Sequence, residues 1–215
     1  MSICLTISEV DWALTKDVFS IFGTITAFAG VVVAGVLGRS GLKTWKKQIR
    51  GQNDHDLAMR MLVGLYKFEM VLNESRAPGI YAHEIKIDSS KLLNGREGRF
   101  QRLELGLERR IEGVSAAFAE LSATALNAKI LWGGITCGLI DELRFLKEEF
   151  DEYVRLKLLC ANPYEPEDER LDHKNDLDMR RDVFKNIFGS ADGFGTDLES
   201  SVKSIRELLS EKIIN

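Results

Sequence analysis

Three histidines, three cysteines and two dense carboxylate clusters are the groups in this chain with the means to do chemistry. His55-Asp56 is the sharpest pairing, because an imidazole beside a carboxylate can hold a metal ion and activate water against a phosphate ester. That chemistry needs further ligands at fixed helical spacing, and His83 and His173 lie in other segments. We therefore read His55 as a solvated residue in a first helical turn. Gly189-Ser190-Ala191-Asp192-Gly193-Phe194-Gly195 offers backbone N–H groups to a phosphate, but it has neither the lysine nor the preceding strand of a phosphate loop. A turn between helices accounts for it. The carboxylates of Glu165 to Asp172 show no compact calcium-loop spacing and read as a solvated acidic linker. Glu148, Glu149, Asp151 and Glu152 read as the wet face of a helix. Cys4, Cys137 and Cys160 are odd in number and widely separated, which is neither a disulfide framework nor a zinc pattern and suits a reducing compartment. No serine or cysteine has an identifiable base partner. The expectation is a protein that is not an enzyme, with no catalytic residues, no metal and no cofactor.

The elements that would position any such group are dominated by one stretch. Over 215 residues the mean hydropathy of −0.11 looks soluble, yet Val18 to Leu37 carries no charge at all. Such a run, at about 1.5 Å per helical residue, matches a hydrocarbon core roughly 30 Å thick. Its only polar side chains, Ser20, Thr24 and Thr26, can bond back to their own helix carbonyls. We read residues 18–38 as a transmembrane helix, the competing reading being a buried core helix. The preceding segment, 1–17, carries Glu9, Asp11 and Asp17 against Lys16, unlike the positive start of a cleaved signal peptide. The run is accordingly an uncleaved anchor.

Residues 39–52 form a basic juxtamembrane segment holding Arg39, Lys43, Lys46, Lys47 and Arg50. The positive-inside rule then places the N-terminus outside and the rest of the chain in the cytoplasm. Trp12 and Trp45 suit the two interfacial belts. With a net charge of −4 and a pI near 5.5, the chain has no general electrostatic case for nucleic acid, and no direct nucleic-acid binding is expected. Beside a span, the basic cluster serves topology and anionic lipid. Within the run, Gly23, Ala27, Gly30, Ala34 and Gly38 recur at the interval that lets two helix backbones approach in lipid. They are the expected helix-association face of a homo-oligomer in the bilayer.

Residues 53–215 read as a cytoplasmic helical bundle, making the fold all-α. Asn53 or Asp54 is expected to cap a helix running to Ser75 after a break at Gly51-Gln52, with Leu57, Met61, Leu65, Phe68 and Leu72 on its apolar face. A loop follows from Ile80 to Gly98. A long helix begins near Glu97, its stripe of Phe100, Leu107, Val114 and Leu121 spaced by seven and widened by Leu103, Ile111 and Phe118. Arg110 interrupts that stripe, which favours bundle packing over a two-stranded coil. A helix from Thr136 to Cys160, the acidic linker, a helix over Asp176 to Phe188, a glycine-rich turn and a final helix from Asp197 to Ile214 complete the chain. Residues 121–140 are apolar apart from Lys129, so they are either a second span or a buried helix junction turning at Gly133-Gly134.

Gly41 to Gly51 (GLKTWKKQIRG) and Leu57 to Pro78 (LAMRMLVGLYKFEMVLNESRAP), which includes Leu57-Ala58-Met59-Arg60 and the ending Arg76-Ala77-Pro78, are similar to a set of small bacterial single-span proteins. Some of these resemble transmembrane effectors of antiphage systems, including those encoded with retrons. The resemblance covers roughly residues 15–78. It implies a membrane-acting effector of antiviral defence that damages the inner membrane and causes abortive infection when a guarded complex is disturbed. A regulatory protein or ribonucleoprotein partner would then hold it inactive. It offers no catalytic residues, and it favours the second span at 121–140. The alternatives are an anchored scaffold or adaptor that recruits a cytoplasmic partner, and an anchored hydrolase using His55 and Asp56.

Overall fold

The computed structural model describes residues 9–85, 95–133, 135–185 and 192–214. Every regular element among them is helical: α1 (Glu9–Ser75), a single 3₁₀ turn (Ala82–Glu84), α2 (Gly95–Trp132), α3 (Ile135–Ala161), α4 (Glu167–Met179) and α5 (Gly193–Ile214). The chain divides into two compact units, Met1–Gln52 and Asn53–Asn215.

In the first unit, α1 holds the one segment among the described residues that is long and apolar enough to cross a membrane. None of its apolar window is buried; Phe19, Phe22 and Phe28 are 72%, 64% and 71% exposed. A core helix within one chain covers such side chains, and this window is uncovered. Thr24 and Thr26 donate to the carbonyls of Ser20 and Phe22 at 2.9 and 2.8 Å, keeping both hydroxyls satisfied within the helix.

In the second unit, Leu57, Met61, Leu65, Phe68 and Leu72 are buried, as their spacing predicts. α1 meets α2 where Gly64 lies against Leu121, with the Phe68 and Phe118 rings 5.5 Å apart. α3 packs against α2, α4 and α5 and is the central helix, burying Ile140, Leu143, Leu146, Phe150 and Val154. Phe194, Leu198, Val202, Ile205 and Leu209 give α5 its buried stripe.

Five expectations need correction, and the choice left open at 121–140 is decided. Residues 51–54 do not break α1; an interior glycine costs only about 0.5–1 kcal/mol, less than flanking helix contributes. Asp54 is not a cap but accepts a 3.0 Å hydrogen bond from the Trp132 indole. Residues 121–140 are not one helix. Gly133, at φ +86°, stops α2 with its N–H on the Lys129 carbonyl, and Leu121, Ala125, Ala128 and Ile140 are buried, so neither half has the roughly 20 residues a span needs. The segment is a helix junction.

The acidic stretch from Glu165 is no linker. Glu167, Asp168 and Glu169 form the first turn of α4, where carboxylates favour the positive end of the helix dipole. The expected helix over Asp176 to Phe188 ends instead at Met179, and residues 180–185 are non-helical. α5 begins four residues early, at Gly193, because the Asp192 carboxylate accepts the Gly195 N–H at 2.8 Å as an N-cap. The parts of these readings on residues 86–94, 134 and 186–191 lie outside the described residues, as do Cys4 and the rest of residues 1–8.

Candidate functional site

Gly23, Ala27, Gly30, Ala34 and Gly38 all lie on α1, every one exposed, with open space where a Cβ on each glycine would project. At 3.6 residues per turn they occupy an arc of about 80°. Arg39, Lys43, Lys46, Lys47 and Arg50, also exposed on α1, centre roughly 160° around the same helix. Two copies meeting on the small-residue face would therefore turn their cations outward, free of like-charge repulsion at the contact.

The second unit is organised by two arginines that the sequence places among apolar neighbours. Arg76 and Arg110 are only 1% and 4% exposed. Arg110 reaches from the middle of α2 to the segment after α1. It donates to the carbonyls of Ser75 (3.1 Å), Ala77 (2.6 Å) and Gly79, and to both oxygens of Glu84 (2.7 and 3.0 Å). A buried guanidinium is tolerated when its fork of donors is filled in this way. Arg76 donates to the Val183 carbonyl at 2.7 Å and to Asp192, and lies over the Phe194 ring. The Lys185 N–H returns a bond to the Arg76 carbonyl at 2.8 Å. One arginine thus ties the end of α1 to the 3₁₀ turn, and the other ties it to the start of α5.

These contacts set the charge state of both carboxylates. Burial raises the Glu84 carboxyl, but the Arg110 hydrogen bond, the Tyr81 N–H and nearby cations outweigh it and leave it below its ordinary range. The Arg76 hydrogen bond, helped by the Gly195 N–H and opposed by desolvation, holds Asp192 below its ordinary value. Asp192 thereby fills the α5 N-terminus that the phosphate-loop reading would have left to a ligand. A Cβ on Gly195 would sit 2.3 Å from Asp192 Oδ2, so glycine here makes room for the cap.

Above this network lies a cleft of about 1020 Å³ lined by Val71, Pro78, Tyr81, His83, Arg109 and Lys185 among others. Tyr81 and His83 stack at 5.6 Å. Elsewhere, His55 Nδ1 faces the Ile213 carbonyl at 3.4 Å, and neither it nor Asp56 belongs to a converging set of ligand atoms among the described residues. One such set exists, and sequence reading missed it: Glu165, Glu169 and His173, spaced by four across the start of α4. The spacing was visible, but its reading as linker removed the helix that gives it meaning.

No protein family matches the chain, and no curated protein and no solved structure is significantly similar to it.

Proposed function

We propose that this chain is a single-span membrane protein that acts on the bilayer holding it, as an effector of bacterial antiviral defence whose helical unit is restrained by a partner until infection. The observation that carries the membrane half of this reading is the uncharged run of α1, wholly exposed in the folded chain. Apolar area of that extent left in water costs about 25 cal/mol per Å², and lipid removes the cost. The separation of the small-residue face from the basic stripe supports self-association through the span. The positive flank after the run supports an inner-membrane placement with the N-terminus outside and residues 53–215 in the cytoplasm. The defence half rests on the resemblance within residues 15–78.

Expression of the full chain without its neighbours, read with a potential-sensitive dye, tests the proposal. Depolarisation and growth arrest are expected, and Gly30→Leu with Ala34→Leu should suppress both while membrane levels hold. Normal potential at normal membrane levels would overturn the effector reading.

A second reading, an anchored adaptor, is favoured by one feature of the helical unit. Met59, Val63, Tyr66 and Met70 form a stripe along α1 and are 42–62% exposed. An adaptor predicts stable capture of a partner and no toxicity.

A further inference from the structure

We infer that Glu165, Glu169 and His173 form a binding site for one divalent cation of the zinc class, which fastens α4 to the end of α3.

The three side chains each offer one ligand atom, and these atoms lie within 4.8 Å of one another. His173 Nε2 stands 3.7 Å from Glu165 Oε1, too far for a hydrogen bond. That gap is close to the edge of a tetrahedron around zinc, roughly 3.4 Å for bonds near 2.0–2.1 Å. The nitrogen and oxygen thus stand at ion-pair distance, a few tenths of an ångström wider than two ligands sharing an ion.

The orientation of Glu165 is fixed from outside the set. Asn162, at the end of α3, donates its amide to Glu165 Oε2 at 3.0 Å, and its own Oδ1 accepts the Tyr164 N–H at 3.1 Å. The amide occupies one carboxylate oxygen and leaves the other facing His173, as hydrogen-bond partners of metal-ligating carboxylates do. Glu165 and His173 are partly withdrawn from water, with side chains 18% and 28% exposed, while Glu169 is exposed.

Ligand chemistry selects the ion. An imidazole nitrogen with two carboxylate oxygens suits zinc and its first-row neighbours, whereas calcium and magnesium take oxygen sets. Three protein ligands leave a fourth position for water. Glu167, Asp168 and Asp172 add negative potential around the set. The site would add to the packing of α4, which lies against α3 without a buried residue of its own, Leu177 being partly buried against the core. An ion joining Glu165, ahead of the helix, to His173 in its second turn would hold it in place.

The test uses untagged full-length protein in detergent micelles, stripped with a chelator and titrated with zinc chloride by calorimetry. One saturable equivalent is expected. His173→Ala and Glu169→Gln should each weaken it at least tenfold, while His55→Ala and His83→Ala leave it unchanged. Zinc should also slow amide exchange across Glu167–Met179. No saturable equivalent, wild-type affinity in His173→Ala, or exchange unaltered by bound zinc would each overturn the inference.

Discussion

At the scale of single residues, the decisive groups are charges that sit where apolar side chains are expected. Arg110 lies in the apolar stripe of α2 and is visible in sequence as a defect in a heptad pattern. What satisfies it, three carbonyls after α1 and Glu84, cannot be read from spacing, because those acceptors exist only once the chain has turned at Pro78. Arg76 and Asp192 are 116 residues apart and meet only in the folded chain. Both carboxylates have folded values below their unfolded ones, near 3.9 for Asp and 4.3 for Glu. Their stabilisation is complete above those values and disappears as pH falls through the folded ones. Stability to denaturant should therefore stay level from pH 7 to about 5 and fall below about 4. Asp192→Asn should lose stability at neutral pH and show a shallower acid limb, converging with the parent at low pH; parallel curves would contradict the role assigned to the Arg76 contact.

Among the elements, glycines mark where helices stop and where they merely pass. Gly133 ends α2 in the left-handed region, which costs a residue bearing a Cβ about 1–2 kcal/mol. Gly138 lies exposed in α3 with open space around it. Gly133→Ala should destabilise the second unit by about that amount, whereas Gly138→Ala should stabilise it by about 0.5–1 kcal/mol through helix propensity. Equal effects in thermal unfolding would show that the α2–α3 junction does not depend on backbone handedness. The same contrast explains why 121–140, apolar enough to suggest a span, is instead two packed helix ends. It also explains why Gly51 fails to interrupt α1: nothing there demands a positive φ.

For the molecule as a whole, the described residues comprise an apolar helix whose window is unburied and a helical unit with its own core. The placement proposed for them has a direct check. Protease added to inverted membrane vesicles should remove residues 53–215, while protease added to intact spheroplasts should leave them whole. The reverse pattern would invert the proposed topology and, with it, the assignment of Arg39 to Arg50 as the cytoplasmic flank.

The sequence by itself determined the all-helical class, the apolar run and its basic flank, and the buried faces of α1 and α2. Each of these is a local or periodic property: a run of uncharged residues, or a stripe recurring at helical spacing, carries its meaning within a few turns. Only the tertiary structure decided that the acidic stretch after Pro166 is a helix, that Asp192 caps α5 under Arg76, and that Glu165 faces His173 beside Asn162. Those outcomes depend on partners distant in sequence or on a turn that reorients the chain. A linear pattern fixes which face a residue occupies, and only packing fixes what that face meets.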